Sequence, residues 1–136
     1  MSGQKRLLLI EDQPQDARFA AKTAQSIGFS EVNALSSVQA ARNYLEGCLK
    51  GERPLPDGIV LDLDLGYESG YELLRYWHST PPLSSVPVIV WSILGEDQRE
   101  MCRLFKVKHF VAKWEGEDAF REALNGLTGS NSSPSE

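Results

Sequence analysis

Short apolar runs recur along this chain, and each is followed by a stretch whose apolar residues keep helical spacing. The first run, Leu7 to Ile10, contains no polar alternation, which is typical of a parallel strand that is covered on both faces. From Ala17 to Ile27 the apolar positions then follow a helical period, and Gly28 stands where a C-cap glycine belongs. A strand followed by a helix is therefore the repeating unit.

The same unit recurs to the end of the chain and predicts five strands alternating with five helices. We expect strands at 7–10, 32–35, 58–63, 86–91 and 109–112, and helices at 14–27, 38–49, 69–79, 95–106 and 116–127. Alternation of this kind implies one parallel sheet with helices on both faces and right-handed crossovers. The predicted fold class is α/β, a five-stranded doubly wound parallel sheet.

The length of 136 residues suits one domain. We expect this domain at 1–127, followed by a disordered tail at 128–136, because those last residues are mostly Ser, Asn, Gly and Pro. A net charge of -5 with few basic pairs argues against nucleic-acid binding. Only four consecutive apolar residues follow the amino-terminal segment, so we expect neither a signal peptide nor a membrane span, and a cytoplasmic location.

Chemically useful side chains follow the ends of four predicted strands, where ligands gather in a doubly wound sheet. They are Glu11, Asp12, Asp62, Asp64, Ser92 and Lys113. Crowded carboxylates repel one another, and a hard divalent cation relieves this; an all-oxygen cluster favours Mg²⁺. Asp62 can then attack a phosphoryl donor, while Ser92 and Lys113 contact phosphoryl oxygens.

Several of these residues also have a plainer interpretation. The acidic pair Glu11 and Asp12 suits a helix N-cap, Asp64 suits a solvent-facing position, and Lys113 suits an ordinary surface lysine. Asp62 is harder to explain in this way, because a carboxylate that closes so apolar a strand is costly to bury. The prediction therefore depends on the joint position of these residues at four strand ends.

Five segments together carry a family resemblance. They are Leu8-Leu9-Ile10-Glu11-Asp12, Pro56-Asp57-Gly58-Ile59-Val60-Leu61-Asp62, Gly70 eight residues after Asp62, Val88-Ile89-Val90-Trp91-Ser92 and Phe110-Val111-Ala112-Lys113. In these segments the chain resembles the receiver domain of two-component response regulators. The resemblance spans about residues 5 to 127 and implies the flavodoxin-like strand order 2-1-3-4-5. It also implies a single-domain regulator, since it leaves no room for an output domain.

The resemblance implies a role for each site residue. Asp62 would be the phosphoacceptor, Asp12 and Asp62 would contact Mg²⁺ directly, and Glu11 would act through water. The backbone carbonyl of Asp64 would complete the metal site. The remaining roles are the switch hydroxyl, the switch aromatic and the lysine that pairs with the acceptor, which would be Ser92, Phe110 and Lys113.

The resemblance further implies partners. The phosphoryl donor would be a sensor histidine kinase or a phosphotransfer protein. The output surface would be helix 4, strand 5 and helix 5, contacting a downstream protein or a second copy of the chain. Aromatic residues and Met are enriched at interface cores, and this region contains Met101, Phe105, Phe110 and Trp114. Met101 and Phe105 also fit the buried stripe of an amphipathic helix.

The chain departs from the family pattern near the site. Gly66 replaces a usual proline, Ile93 replaces a small residue after the switch hydroxyl, and Trp114 replaces the proline after the lysine. A cis bond costs about 0.5 to 1 kcal/mol before proline but roughly 2.5 to 4 kcal/mol before tryptophan. We therefore expect a trans Lys113-Trp114 bond, with Lys113 still near Asp62 and Trp114 directed toward solvent or a partner.

Two other functions fit parts of the sequence. A haloacid-dehalogenase-like phosphatase would use Asp62 as nucleophile and Asp64 as general acid, but its Asp-x-Asp motif belongs on the first strand, whereas here it follows the third. A receiver fold that only binds proteins, without phosphorylation, is the second alternative, and Ile93 and Trp114 favour it.

Overall fold

The structure is a computed structural model that describes residues 5–66, 68–93 and 96–128. Of the tail expected at 128–136, only Thr128 belongs to these residues, as the end of the last helix; 129–136 lie outside them. No helix in the described segments combines the length and apolar character that a membrane crossing requires.

Five parallel strands form the central sheet. They are β1 (Arg6–Ile10), β2 (Glu31–Leu35), β3 (Gly58–Leu61), β4 (Val88–Ser92) and β5 (His109–Ala112). The order across the sheet is β2-β1-β3-β4-β5, with every pair parallel. This confirms the predicted fold class and strand order.

Five helices cover the two faces of the sheet. They are α1 (Pro14–Ile27), α2 (Val38–Leu49), α3 (Gly70–His78), α4 (Glu96–Leu104) and α5 (Glu117–Thr128). One apolar cluster joins alternate strand residues to α1 and α5, and a second joins the other strand residues to α2, α3 and α4. Because both faces are covered, the strands are apolar without alternation, as the first run indicated.

Some element boundaries differ from the predicted ones. β3 ends at Leu61, two residues early, because Asp64–Leu65 leave the sheet and pair antiparallel with Glu68–Ser69 in a short hairpin. β4 begins at Val88 rather than at 86, since Val86 still caps a 3-10 turn at Leu83–Ser85. Helix α4 ends at Leu104, just before Lys106 adopts a left-handed φ of 68°, which ends helices. Its predicted first residue, Gly95, lies outside the described residues.

The connection from β5 to α5 is a 3-10 turn, Lys113–Glu115. Within the described segments the cis peptide bond is Pro81-Pro82, so the Lys113-Trp114 bond is trans, as expected. The Trp114 side chain is 73% exposed. Cys48 and Cys102 are buried and free.

Candidate functional site

Asp62 directly follows β3 and is only 4% exposed. Its backbone N-H donates to the carbonyl of Ile10 at 3.0 Å, which continues the pairing of β3 with β1. Its Oδ1 accepts two hydrogen bonds, from Ser92 Oγ at 2.9 Å and from the Asp64 backbone N-H at 3.0 Å. Its Oδ2 lies 3.3 Å from Lys113 Nζ. The carboxylate is thus held by groups from the segment after β3, from β4 and from the turn after β5.

Asp62 forms a cluster with Glu11 and Asp12, which follow β1. Each of the three offers a carboxylate oxygen within 4.8 Å of the others. Glu11 is buried, and this burial, together with the charge of Asp62, raises its pKa to about 7 despite the nearby Lys113. Asp12 Oδ1 is buried and accepts no hydrogen bond from the residues that the structure describes. An orphaned carboxylate oxygen among crowded carboxylates fits a hard divalent cation.

Lys113 connects this cluster to α1. Its Nζ lies 2.7 Å from Asp16 Oδ2, 2.9 Å from Glu11 Oε1 and 3.3 Å from Asp62 Oδ2. The same ammonium lies over the ring of Trp91, 4.9 Å from its centroid. Burial lowers the pKa of Lys113, but the hydrogen bonds that Lys113 donates to Asp16 and Glu11 and the charge of Asp62 outweigh it and raise the pKa above its usual value. Lys113 is therefore a partly buried cation near neutral pH.

The turn after β5 fixes the backbone position of Lys113. The carboxylate of Glu115 accepts a hydrogen bond from the Ala112 backbone N-H at 2.9 Å and lies 3.4 Å from Arg99 Nη2. These contacts close the 3-10 turn across Lys113. The lysine therefore reaches Asp62 through a trans bond without the usual proline.

Gly70, at the start of α3, lies against the backbone behind the acceptor. A Cβ at this position would approach the Asp62 carbonyl oxygen to 2.6 Å and Leu63 Cα to 2.8 Å. Since both are backbone atoms, only glycine fits. Its own N-H donates to the Leu63 carbonyl at 2.9 Å, which ties α3 to the segment after Asp62. Gly66 nearby adopts a φ of 71°, a left-handed conformation that favours glycine.

The structure brings together five of the predicted side chains, adds Asp64 through its backbone, and leaves Phe110 apart. Glu11, Asp12, Asp62, Ser92 and Lys113 converge. Asp64 contributes its backbone N-H, while its side chain is exposed. Phe110 is half-buried in β5 and carries the Arg99 guanidinium 4.7 Å above its ring. Asp12 does not cap α1, because the N-cap position is Gln13.

Asp16 is the site residue that sequence reasoning missed. It lies in the first turn of α1, where an acidic residue is favoured by the helix dipole and so signals nothing unusual. Its contact with Lys113 joins residues 97 positions apart. Only the tertiary structure reveals it.

A cavity of about 310 Å³ opens over these residues, lined by Asp12, Gln13, Asp16, Asp62, Asp64, Gly66, Ile93 and Lys113. A second cavity of about 400 Å³ lies at the amino ends of β4 and β5 and is lined by none of the predicted site residues. The first cavity is therefore the candidate site. Of the two, it is the one in which a ligand would contact the predicted site residues.

Known proteins are similar to this chain in both sequence and fold. No family model matches the chain. The rice (Oryza sativa subsp. japonica) two-component response regulator ORR1 is 31% identical over 115 residues, covering 82% of this chain and 50% of that protein. The chain thus spans about half the length of this curated relative.

Solved structures match over nearly the whole chain. The phosphorylated cyanobacterial phytochrome response regulator RcpA is 26% identical, with a TM-score of 0.80 and coverage of 98% of this chain and 100% of that one. The Mn²⁺-bound response regulator Rcp1 is 23% identical, with a TM-score of 0.77 and 97% of both chains covered. Together with the strand order and the acidic cluster, these matches show that the chain belongs to the receiver-domain family of two-component response regulators.

Proposed function

We propose that this receiver domain accepts a phosphoryl group on Asp62 from a sensor histidine kinase or a phosphotransfer protein. The observation that carries the proposal is a buried, hydrogen-bonded carboxylate at an open cavity, with an ammonium and two further carboxylates beside it. A carboxylate oxygen of Asp62 forms a bond to phosphorus while the bond from phosphorus to the donor's imidazole nitrogen breaks. That nitrogen keeps the electron pair.

The donor set favours Mg²⁺ as cofactor. Asp12 and Asp62 would hold it directly, Glu11 would act through water, and the backbone carbonyl of Asp64 would add a further oxygen. The support is the oxygen-only cluster and the unpartnered Asp12 Oδ1. A bound divalent ion offsets the charges of the carboxylates and the phosphoryl group. The similar fold of a Mn²⁺-bound regulator agrees with a divalent cation here.

The chain's own residues orient the transfer. Ser92 Oγ now donates to Asp62 Oδ1, and Lys113 Nζ lies at Asp62 Oδ2, so each is within reach of a phosphoryl oxygen on the acceptor. Charge-assisted hydrogen bonds of this kind stabilise phosphoryl groups. Beyond this self-catalysed transfer, and hydrolysis of the product, we propose no enzymatic activity.

Phosphorylation would be read out at the surface of α4, β5 and α5, in the cytoplasm. Met101, Leu104 and Trp114 expose 44, 70 and 73% of their surface there, as expected of a protein contact. Phe105 packs against the core instead, in agreement with its buried-stripe interpretation. A downstream protein, or a second copy of the chain, would dock on this face when Ser92 and Phe110 respond to the phosphoryl group.

The direct test is incubation with acetyl phosphate, with and without Mg²⁺, followed by intact-mass spectrometry. We expect one added phosphoryl group that requires Mg²⁺, and none on Asp62→Asn. Asp57→Asn is the matched control, because Asp57 precedes the opposite end of the same strand and should not affect labelling. Equal labelling of wild type and Asp62→Asn contradicts the assignment. No labelling of the wild type favours the alternative of a binding module that works without phosphorylation.

A further inference from the structure

Lys113 has more acidic partners than the proposed transfer needs. Its shortest contact is to Asp16 Oδ2 at 2.7 Å, whereas the acceptor oxygen, Asp62 Oδ2, is 3.3 Å away. Asp16 reaches it from the first turn of α1 and lines the same cavity as Asp62. The ammonium is therefore held more closely by Asp16 than by the acceptor.

An ammonium has three N-H donors, and here three carboxylates already surround it. A phosphoryl group on Asp62 adds negative charge and strong acceptor oxygens. One of the present partners must then loosen its contact with Lys113. The strength of the new contact depends on how readily that partner gives way.

Exposure decides which partner gives way. The Glu11 side chain has 0% exposure, so losing Lys113 would leave a buried carboxylate without its counter-charge. The Asp16 side chain is 39% exposed, so water can replace the lysine there at small cost. Asp16 is thus the partner that can yield.

We propose that Asp16 is a positioning residue that competes with the phosphoryl group for the ammonium of Lys113, and so weakens the phosphorylated state. This inference rests on the function proposed for Asp62. In the unphosphorylated protein Asp16 holds Lys113 toward α1, and in the phosphorylated protein water solvates Asp16 while Lys113 turns to the phosphoryl oxygens. A residue that merely presents Lys113 to Asp62 would have the opposite effect.

The test is titration with beryllofluoride, a phosphoryl analogue, at saturating Mg²⁺. We expect Asp16→Asn to bind it roughly two- to fivefold more tightly than wild type, the range for a partly exposed ion pair. The phosphoryl group left by acetyl phosphate should be lost more slowly by a similar factor. Asp16→Glu, which keeps the charge, should return both values toward wild type. Asp118→Asn removes an exposed acidic charge from α5 and should change neither.

Unchanged or weaker binding by Asp16→Asn overturns the competition, and weaker binding indicates a presenting role instead. If Asp118→Asn tightens binding equally, net charge explains the effect and the inference falls. If the wild type binds no beryllofluoride, both the proposed function and this inference are wrong. Tight wild-type binding with no response to Asp16→Asn removes the inference alone.

Discussion

The two halves of the site differ in how they are built. On the acceptor side, where β1 and β3 end, the strand residues are buried and Asp62 is fixed through backbone hydrogen bonds and the close packing of Gly70. On the lysine side, where β4 and β5 end, Ser92 is followed by Ile93 at 61% exposure and Lys113 by Trp114 at 73%. One half is held through backbone contacts, and the other reaches the site through side chains.

This difference separates two requirements of a switch. Nucleophilic attack needs a fixed carboxylate, because misplacement of a reacting atom by about 1 Å is costly. Signalling needs groups that change position and are accessible to another protein. Of the five large apolar side chains that are exposed in the described parts of the chain, four lie on the lysine side or on α4, namely Ile93, Met101, Leu104 and Trp114.

The largest change in stability should come from a substitution on the acceptor side, at Gly70. Gly70→Ala forces a Cβ against the Asp62 and Leu63 backbone, so we expect a loss of about 3 kcal/mol in the free energy of unfolding. Gly47→Ala in α2 is the matched control. Its Cβ would meet mainly the movable guanidinium of Arg53, so this variant should be neutral or slightly more stable. Urea denaturation measures both, and equal stabilities would show that the backbone behind Asp62 can shift.

A second, smaller effect concerns Glu11 and pH. Burial raises its pKa from 4.5 to about 7, so the folded protein disfavours the charged carboxylate. Its stabilising contribution is full below pH 4.5 and is lost as pH rises through 7. Without divalent cations, the free energy of unfolding of wild type relative to Glu11→Gln should therefore fall across this window, on the order of 2 kcal/mol. Urea denaturation in chelator at pH 4.5 and pH 8 tests this, and a constant difference between the two proteins would contradict it.

On the lysine side we expect changes in rate rather than in stability. Ile93 lines the cavity beside Asp62, and its side chain is largely exposed. Ile93→Ala should admit a small phosphodonor more readily and raise the rate of labelling by acetyl phosphate roughly threefold. The free energy of unfolding should stay within about 0.5 kcal/mol of wild type. Slower labelling would mean that Ile93 helps to bind the donor instead of obstructing it.

The smallest effect on the isolated protein should come from Trp114→Ala. Because Trp114 is exposed, its removal should change the free energy of unfolding by less than about 0.5 kcal/mol and leave labelling of Asp62 unaltered. Trp77→Ala, which removes a buried indole, should cost about 3 to 5 kcal/mol. Urea denaturation compares the two. A large loss from Trp114→Ala would mean that it supports the lysine side structurally and does not serve a partner surface.

Both halves were predicted from the sequence only in part. Uninterrupted apolar runs located β1 and β3, and with them the positions of Glu11, Asp12 and Asp62. The hairpin of Asp64–Leu65 and Glu68–Ser69 was missed, because strands of two residues are too short to show an alternation of apolar and polar residues. The contact of Asp16 with Lys113 was missed because it depends on how α1 and the turn after β5 meet. The outward direction of Trp114, in contrast, followed from the cost of a cis bond at a position without proline.

The position of Lys113 over Trp91 has an optical consequence. A cation 4.9 Å from an indole ring shifts the energy difference between its ground and excited states, so the emission wavelength of Trp91 depends on where the ammonium lies. Trp91 is buried beside Phe19 and Phe120 and is shielded from the solvent that dominates the emission of Trp114. We therefore expect any movement of Lys113 away from its present partners to alter the emission of Trp91.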